Sequence, residues 1–246
     1  MGTTTNTFVV TDGVGNTATC SFTVTVNDTE NPTITCPSNT TVANDPGNCS
    51  AVVNYNVTFA DNCPGAVLTQ TGGLASGSTF PVGTTNNTFL VTDASGNTAT
   101  CSFTVTVNDT ENPTITCPSN TTVNNDPGNC SAVVNYNVTF ADNCPGAVLT
   151  QTAGLPSGSA FPVGTTNNTF VVTDGAGNTA TCSFTVTVND TENPTITCPA
   201  NIVVGNDPGS CDAVVNYNVT FADNCPGAVL TQTAGLPSGS TFPLGC

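Results

Sequence analysis

The sequence predicts an all-β protein built from tandem immunoglobulin-like antiparallel β-sandwiches with an 81-residue repeat. Apolar and polar residues alternate over short runs, turn residues separate these runs, and long stretches return at a fixed interval. The stretch ATCSFTVTVNDTENPTITCP at 18–37, for example, returns at 99–118 and 180–199. Roughly seven short strands in about 80 residues, joined by frequent turns, are typical of an immunoglobulin-type sandwich.

The strands are predicted from alternation with a period of two residues. SAVVNYNVTF at 50–59 and CSFTVTV at 101–107 each place apolar side chains on one face. The predicted inward positions are Val53, Tyr55, Val57 and Phe59 in the first run and Cys101, Phe103, Val105 and Val107 in the second. The segments NDPGN, DNCPG and DASGN have the composition of turns, and no window has helical spacing.

The repeat predicts the domain organisation. Residues 27–107 and 108–188 are two copies that differ at seven positions. In the same phase, residues 1–26 correspond to the last two strands of an incomplete repeat, and residues 189–246 to the first part of one. We expect the two ends together to make one complete domain. Near-identical tandem domains are more typical of a spacer or fibre than of an enzyme.

The composition excludes several classes of function. The chain has no Lys, Arg or His and 16 acidic residues, which gives a formal net charge of −16. Without cationic side chains it cannot bind nucleic acid or anionic membranes electrostatically. Without His or Lys, no Ser or Cys has an ordinary activating base, so the chain is not expected to be an enzyme. No apolar run is long enough to insert in a membrane. The charge instead favours multivalent cations as partners.

Several motifs carry a resemblance to a known family. TITCPSNTTV, GNCSAVVNY, ADNC, SGSTFPVG and TDASGNTATCSF follow one another within the repeat. With these motifs the chain resembles the hyalin repeat, or HYR, domain over the full repeat and nearly its whole length. The resemblance implies an immunoglobulin-like fold, an extracellular location (secreted or on the cell surface), a part in adhesion or matrix, and no catalytic residues. Two departures are the absence of basic residues and Cys246, which stands where the other copies have Thr84 and Thr165.

The acidic residues are concentrated at the predicted domain junctions. In a sandwich of this topology the linker NDTENP and the loops ADNC and TDASGN lie at the same end of a domain. Carboxylates gathered there repel one another unless a cation lies among them, and Ca²⁺ takes six to eight oxygen ligands. The linker is also similar to the calcium-binding linker between cadherin domains. The predicted metal ligands are Asp28, Glu30, Asp61, Asp93, Asp109, Glu111, Asp142, Asp174, Asp190, Glu192 and Asp223.

The alternative for these acids is that they solubilise the surface and cap turns, because Asp and Asn are favoured in turns regardless of metal. Asp45, in the NDPGN turn, lies at the opposite end of the repeat and would face the linker of the next domain. It could join a metal site only if that domain reached over.

Thirteen cysteines indicate disulfides and an oxidising compartment rather than a zinc site, because paired CxxC spacing is lacking. A Cys36–Cys101 bond is favoured because these residues lie early in strands expected to run parallel, side by side. Cys49–Cys63 is then the default second pair, although an extended strand between them would separate them. A kink, a different pairing or a bond from Cys49 to the next domain would resolve that conflict. The disulfide candidates are Cys36, Cys101, Cys49, Cys63, Cys117, Cys182, Cys130, Cys144, Cys20 and Cys198.

The two ends predict self-association. If Cys36 pairs with Cys101, then Cys198 needs a partner on a last strand, and Cys20 lies on such a strand. We therefore expect head-to-tail assembly in which residues 1–26 of one chain complete the sheet of another. The alternative is that the chain is a window on a longer repeat protein. The predicted function is structural, an extracellular filament or stalk of disulfide-bonded, calcium-stiffened domains. The alternative is a cell-surface adhesin that binds a glycan or protein ligand.

Overall fold

The computed structural model describes residues 2–244, and all regular secondary structure in that range is β-strand. The chain divides into two compact units. The first comprises Met1–Asn112, Asp142–Ala147 and Asp174–Asn178, and the second comprises Pro113–Ala141, Val148–Thr173 and Thr179–Cys246. Across residues 2–244 we find no helix that could span a membrane.

The first element is a free-standing hairpin. Its strands are β1 (Gly2–Thr11) and β2 (Thr17–Val26), which pair antiparallel from Gly2 opposite Val26 to Thr11 opposite Thr17. Phe8 and Phe22 stack on one face with ring centroids 6.0 Å apart, yet their exposed fractions are 60% and 54%. The hairpin therefore presents apolar side chains that nothing in the described chain covers.

The complete repeat at 27–107 is a sandwich with one large sheet. Its strands are β3 (Thr33–Thr35), β4 (Thr40–Ala43), β5 (Ser50–Val53), β6 (Thr58–Ala60), β7 (Val67–Gly72), β8 (Ser78–Pro81), β9 (Gly83–Thr92) and β10 (Thr98–Asn108). The order in the four-stranded sheet is β4-β10-β9-β7, in which β4 runs parallel to β10 and the other neighbours are antiparallel. The pairs β3–β6 and β5–β8 form the other layer.

The core lies between these layers. Ala51, Val53 and Phe80 from one layer contact Phe89 and Phe103 from the other. Alternate residues of β10 are buried, as the period-two pattern of CSFTVTV predicts. Tyr55 packs edge-on against Phe103, with centroids 4.9 Å apart, and its hydroxyl donates a hydrogen bond to the Leu74 carbonyl.

One predicted inward position is wrong. Phe59 is 43% exposed, although alternation places it on the same face as Val53. The run 50–59 is not one strand, because residues 54–57 separate β5 from β6 and the two strands pair with different partners. Alternation therefore does not continue across the interruption.

The repeat at 108–188 has the same strands and sheet order. They are β11 (Thr114–Thr116), β12 (Thr121–Asn124), β13 (Ser131–Val134), β14 (Thr139–Ala141), β15 (Val148–Ala153), β16 (Ser159–Pro162), β17 (Gly164–Thr173) and β18 (Thr179–Asn189). The four-stranded sheet is ordered β12-β18-β17-β15, again with β12 parallel to β18. Its core includes Phe161, Phe170 and Phe184.

Residues 189–244 form only one layer of a sandwich. Their strands are β19 (Thr195–Thr197), β20 (Asp212–Val215), β21 (Thr220–Ala222) and β22 (Ser240–Pro243). They pair as β19–β21 and β20–β22. The segments 202–205 and 229–234, which correspond to β12 and β15, are not strands here. Within this segment only Ala213 is a buried apolar residue.

Candidate metal centre at the repeat junctions

Two groups of three carboxylates lie at the linkers of the first unit. One contains Asp28, Asp61 and Asp93, and in each group the potential ligand oxygens all lie within 4.8 Å of one another. The other contains Asp109, Asp142 and Asp174. Each group combines one residue from the linker, one from the ADNC loop and one from the hairpin turn of the large sheet. The structure therefore brings together six of the predicted metal ligands.

Hydrogen bonds fix the hairpin-turn carboxylates. Asp174 Oδ1 accepts from the backbone N–H groups of Ala176 and Asn178 at 2.9 and 2.8 Å. Its Oδ2 accepts from Asn178 Nδ2 at 2.8 Å. Burial raises the pKa of Asp174, but the side-chain and backbone hydrogen bonds from Asn178 and its neighbours outweigh that effect and lower the pKa. Asp93 has the same arrangement with Asn97, and its pKa is also lowered. These two residues are therefore charged at neutral pH.

Three of the other four members, Asp28, Asp61 and Asp142, each have a buried oxygen without a hydrogen-bond partner. Asp142 Oδ2 accepts from the Cys144 N–H at 3.2 Å, but its Oδ1 is buried and has no hydrogen bond. In the first group Asp28 Oδ2 and Asp61 Oδ1 are likewise buried without a partner. A buried carboxylate oxygen without a donor is costly, and a bound cation would remove that cost.

The electrostatics of each group favour a cation. The carboxylate oxygens of a group lie within 4.8 Å of one another, and two unit charges at that separation or less repel by at least roughly 3 kcal/mol at an effective dielectric constant near 20. With no Lys, Arg or His in the chain, no cationic side chain can offset this repulsion. Ligand oxygens of one Ca²⁺ ion stand at most about 5 Å apart, since each lies 2.3–2.6 Å from the ion, and the oxygens of each group are within that limit. The all-oxygen donor set and its spacing therefore fit calcium.

The predicted glutamate ligands lie elsewhere. Gly47 N–H donates to Glu111 Oε1 and Oε2 at 3.0 and 2.8 Å, and Asn44 Nδ2 donates to Oε2 at 3.1 Å. Glu192 accepts in the same way from Gly128 N–H at 2.9 and 3.1 Å. Glu30, the equivalent residue of the first linker, is also outside the carboxylate groups. The side chains of Glu111 and Glu192 extend to the NDPGN turn of the preceding repeat, so the structure does not place these predicted ligands within the carboxylate groups.

Two further predicted ligands form an incomplete group. Asp190 Oδ1 accepts from Asn224 Nδ2 at 3.4 Å, and Asp223 Oδ1 is buried without a partner. The third position, that of Asp93 and Asp174, falls on strands that residues 189–246 lack. Asp45 lies outside the groups, because its Oδ2 accepts from Val52 N–H at 2.9 Å within its own turn.

Sequence reasoning missed residues that support the junction. Asn44, only 7% exposed, donates to Glu111 and accepts from Thr110 N–H at 3.0 Å through Oδ1. Asn178 Nδ2 also donates to the carbonyl of Asp109 at 3.3 Å, which ties the hairpin turn to the linker. The sequence signal for these residues is that Asn occurs at the same turn positions in both complete repeats. Turn propensity explains the same signal, so it did not identify them.

The disulfides are of two kinds. Cys36 bonds to Cys101 within a repeat, which is the pairing favoured from the sequence, with Cα atoms 5.9 Å apart. The Cys117–Cys182 bond of the next repeat is equivalent. This bond joins the end of β3 to β10 and so connects the two layers of the sandwich.

The default second pairing, Cys49–Cys63, is wrong. Cys49 bonds to Cys144, and Cys130 bonds to Cys225, both across a separation of 95 residues. The strands β5 and β6 run between Cys49 and Cys63 and place them at different ends of the repeat, so the ADNC loop of the following repeat supplies the partner. Cys20, Cys63, Cys198 and Cys211 are free, and Cys246 lies outside the described residues.

Comparison with known proteins identifies the family. The HYR domain model matches residues 27–107, 108–188 and 189–246. The chain belongs to the HYR domain family. This confirms the resemblance drawn from the repeat motifs. HYR domains are structural or adhesive modules rather than enzymes, in agreement with the composition.

Curated relatives include two proteins named hyalin. The chain is 37% identical to hyalin of Strongylocentrotus purpuratus over 253 residues, which covers 100% of this chain and 21% of the relative. It is 33% identical to hyalin of Lytechinus variegatus, covering 99% of this chain and 48% of that protein. A serine-rich adhesin for platelets from Staphylococcus aureus is 32% identical over 118 residues, 43% of this chain. The HYR chain thus spans half or less of these relatives.

Solved structures that align with this chain include cadherin ectodomains. Protocadherin gammaB7 EC3-6 aligns over 98% of this chain and 76% of its own, with 16% identity and a TM-score of 0.36. The human desmocollin-1 ectodomain aligns over 88% of this chain and 52% of its own, with 15% identity and a TM-score of 0.30.

Proposed function

We propose that the chain is part of an extracellular structural and adhesive protein whose HYR domains are joined into a stiff filament or stalk. One observation carries this proposal: the junction between the two complete repeats combines a cross-repeat disulfide, a glutamate bound by the preceding repeat and a cluster of carboxylates. Disulfides indicate an oxidising, extracellular compartment. The relatives named hyalin and adhesin support a role outside the cell. The domain boundaries follow the repeat, at 27, 108 and 189.

The junction is built to limit movement between repeats. The Cys49–Cys144 bond fixes one side of it, and the Glu111 carboxylate fixes another through three hydrogen bonds. Asn143 Nδ2 adds a hydrogen bond to the Asn48 carbonyl at 3.2 Å. A calcium ion held by Asp109, Asp142 and Asp174 would bridge the linker to two loops of the following repeat. The ion would act as a structural cross-link, with no chemical step assigned to it.

Calcium binding is tested by calorimetry and thermal unfolding. Free Ca²⁺ at 100 times the dissociation constant would stabilise the folded state by about 2.7 kcal/mol per site. We expect Ca²⁺ to raise the melting temperature relative to EDTA, and Mg²⁺ to raise it less, because Mg²⁺ requires shorter ligand distances of about 2.0–2.1 Å. Identical melting curves in Ca²⁺ and EDTA would refute the calcium proposal.

A matched pair of variants sharpens this test. Asp142→Asn removes a carboxylate from a group of three, whereas Asp223→Asn alters the incomplete group around Asp190. We expect Asp142→Asn to remove one calcium-binding event from the titration. Asp223→Asn should leave the number of tight sites unchanged. Equal loss from both variants would show that the ion does not depend on the three-carboxylate geometry.

We further propose that copies of this polypeptide associate head to tail. The β1–β2 hairpin exposes Phe8 and Phe22, whereas the equivalent Phe89 and Phe103 are 6% and 3% exposed in the core of a complete repeat. Residues 189–244 lack the strands that such a hairpin supplies. A second copy would cover both faces and bring Cys20 next to Cys198, both of which are free and exposed.

Electron microscopy and light scattering test the assembly. We expect the oxidised polypeptide to form regular filaments with a period of three domains, and a disulfide map to contain a Cys20–Cys198 peptide. A monodisperse monomer at all concentrations, with both thiols still free, would contradict the head-to-tail arrangement.

A second candidate function is that of a surface adhesin. The observation in its favour is the 32% identity over 118 residues to a bacterial adhesin. A screen of immobilised glycans and extracellular proteins, in Ca²⁺ and in EDTA, tests it. Saturable binding to one ligand class by the monomer would favour the adhesin, and its absence alongside filament formation would favour the structural role.

A further inference from the structure

The cross-repeat disulfide between Cys49 and Cys144 is attached to the loop that carries one of the predicted metal ligands. Asp142 precedes Cys144 by two residues in the ADNC loop. The Cys144 N–H donates to Asp142 Oδ2 at 3.2 Å, whereas Asp142 Oδ1 is buried without a hydrogen-bond partner. The residue that the disulfide anchors therefore orients one oxygen of Asp142 and leaves the other without a donor.

Asn143, between these two residues, provides a second attachment. Its Nδ2 donates to the carbonyl of Asn48 in the preceding repeat at 3.2 Å and to Asp109 Oδ1 at 3.4 Å. Asn48 is the residue directly before Cys49, and Asp109 is a member of the same carboxylate group as Asp142. One side chain therefore contacts both the turn that holds the disulfide and a second predicted ligand.

The carboxylate group is packed together with the turn of the preceding repeat. The segments Asp142–Ala147 and Asp174–Asn178 belong to the same compact unit as Met1–Asn112, apart from the other segments of their own repeat. Asp109, Cys144 and Asp174 are 8%, 9% and 6% exposed. Because Ca²⁺ requires oxygens at 2.3–2.6 Å, a small displacement of the loop at 142–144 would change how well the group binds the ion.

We propose that the Cys49–Cys144 disulfide and Asn143 are positioning residues of the calcium site, so that the calcium affinity of the junction depends on this bond between repeats. This inference rests on the proposed calcium site. The disulfide fixes the backbone that orients Asp142, and Asn143 holds Asp109 against the same turn. Loss of such outer support typically weakens metal binding by about 10–100-fold. We expect about tenfold when the disulfide alone is broken, because the contacts of Asn143 remain.

The coupling acts in both directions. If breaking the disulfide weakens calcium binding by about tenfold, saturating Ca²⁺ must disfavour reduction of the disulfide by the same factor. For a two-electron couple, a tenfold change in the equilibrium constant corresponds to about 30 mV in the reduction potential. The calcium-loaded junction should therefore keep its disulfide under reducing conditions that open the calcium-free junction.

Reduction requires an external thiol, which we take to be a small dithiol such as dithiothreitol. Cys49 is half-buried and Cys144 is buried, so the accessible sulfur is that of Cys49. A thiolate of the dithiol attacks this sulfur, breaks the S–S bond and releases the Cys144 thiolate, which takes up a proton. The second thiolate of the reductant then attacks its own sulfur in the mixed disulfide and releases Cys49. The protein gains two electrons and two protons, and the dithiol becomes a cyclic disulfide.

Calorimetric titration with Ca²⁺ tests the positioning role. The parent protein is the 246-residue chain with Asp61→Asn, which removes a carboxylate from the other group of three, so that the titration reports the group of Asp142. It also carries five substitutions that prevent thiol exchange with the four disulfides: Cys20→Ser, Cys63→Ser, Cys198→Ser, Cys211→Ser and Cys246→Ser.

The decisive variant adds Cys49→Ser and Cys144→Ser to the parent. We expect its calcium dissociation constant to rise by about tenfold with the number of sites unchanged, because all three carboxylates remain. The matched control adds Cys117→Ser and Cys182→Ser, which remove a disulfide of the same repeat outside the loop at 142–144. The control should lower the melting temperature and leave the dissociation constant unchanged. A Cys36–Cys101 peptide in the disulfide map shows that a variant has folded.

A further variant separates the two positioning elements. Asn143→Ala in the parent removes the contacts with the Asn48 carbonyl and Asp109 but keeps the disulfide. We expect it to weaken calcium binding several-fold, and Asn143→Ala combined with the loss of the disulfide to weaken it more than either change alone. An unchanged dissociation constant for Asn143→Ala would remove Asn143 from the proposal.

The reciprocal measurement equilibrates the parent protein with oxidised and reduced dithiothreitol, in saturating Ca²⁺ and in EDTA, and maps the alkylated peptides. The reduction potential of the Cys49–Cys144 bond should be about 30 mV more negative in Ca²⁺, whereas that of Cys117–Cys182 should stay unchanged. Equal shifts of both bonds, or equal calcium affinity with and without the Cys49–Cys144 bond, would overturn the inference. Tight calcium binding that is indifferent to this bond defeats only the positioning role, whereas an oxidised parent that binds no calcium defeats the calcium proposal itself.

Discussion

Residues 108–188 and 189–244 have nearly the same sequence where they align, but very different burial. In the complete repeat, Ile115, Val123 and Leu149 pack against the core. The equivalent residues at 189–244 are exposed, with Ile196 at 60%, Val204 at 57% and Leu230 at 43%. The segments that form β12 and β15 in the complete repeat are not strands in the incomplete one. Residues 229–234 are identical to β15, so local sequence is insufficient to form that strand, whereas residues 202–205 differ from β12 at three of four positions.

The missing component is the hairpin that corresponds to β17–β18. β12 and β15 pair with opposite edges of that hairpin, so their backbone hydrogen bonds depend on it. The pairs β19–β21 and β20–β22 persist without it, because each is made within the segment itself. The layer made of β19–β21 and β20–β22 therefore forms without the hairpin, whereas the strands of the other layer require the hairpin for their backbone hydrogen bonds. The β1–β2 hairpin is the repeat equivalent of β17–β18, so its sequence is suited to pair with such strands.

The largest expected effect is the completion of the incomplete repeat. We propose appending residues 2–26 after Leu244, in the register that the repeat defines. The segments 202–205 and 229–234 should then become strands, and their amide protection from hydrogen exchange should rise by at least two orders of magnitude. The appended hairpin also adds a copy of Asp12, which has the hydrogen bonds of Asp174, to the group of Asp190 and Asp223. One additional calcium site is expected in the titration.

The control for this experiment is the same appended hairpin with both copies of its stacked phenylalanines replaced by Asp, at the positions of Phe8 and Phe22. These rings would enter the core of the completed repeat, so charged replacements should prevent docking. Equal protection from exchange in the two proteins would show that docking of the hairpin is not what makes residues 202–205 and 229–234 form strands.

The next effect is the loss of the disulfide within a repeat. The double variant Cys117→Ser and Cys182→Ser removes a link between residues 65 apart, which should destabilise that repeat by about 4 kcal/mol. Cys198→Ser, the equivalent of only the first change, should have little effect, because Cys198 is free and exposed. Denaturant unfolding under matched conditions measures both. A similar decrease in the free energy of unfolding for both variants would show that the disulfide within the complete repeat does not stabilise it specifically.

Much of the fold could be predicted from the sequence because its signals are local or repeated. The alternation of CSFTVTV correctly predicts the buried face of β10, since each strand residue there is flanked by regular ladder partners. The 81-residue period predicts that the complete repeats share a fold. Alternation failed at Phe59 because the strand is interrupted at 54–57, and the interruption has no distinct local signal.

The site was predicted less completely, because it depends on contacts between repeats. Placing the linker and two loops at one end of a sandwich was enough to predict the grouping of Asp109, Asp142 and Asp174. Side-chain reach was not predictable, and Glu111 extends to Gly47 instead of the carboxylates. The partner of Cys49 lies 95 residues away, and four cysteines per repeat allow several pairings.

A smaller effect is expected from the glutamate contact at the junction. Glu111→Ala removes three hydrogen bonds from a carboxylate that is only partly exposed, which should destabilise the junction by about 1–2 kcal/mol. Glu30→Ala is the matched control, because no described residue donates a hydrogen bond to the Glu30 carboxylate. Its effect should stay within about 0.5 kcal/mol. Thermal unfolding in EDTA distinguishes the two variants. Equal shifts in their melting temperatures would show that the glutamate contact does not stabilise the junction.

The smallest effect is the pH dependence from Asp174. Burial raises the pKa of this carboxyl, but hydrogen bonds from Asn178 and the turn backbone give it a net lowered pKa. A lowered pKa in the folded state means that the contribution is complete above the ordinary Asp value of about 4 and is lost as the pH falls through the folded value. The melting temperature in EDTA should therefore fall less steeply below pH 4 for Asp174→Asn than for the wild type.

Asp12→Asn is the control: Asp12 also has a lowered pKa, caused mainly by the side-chain hydrogen bond from Asn16, but lies on the free hairpin. It should leave the acid limb of the complete repeats unchanged, and parallel acid limbs for all three proteins would show that the turn carboxylate contributes no pH-dependent stability to the complete repeat.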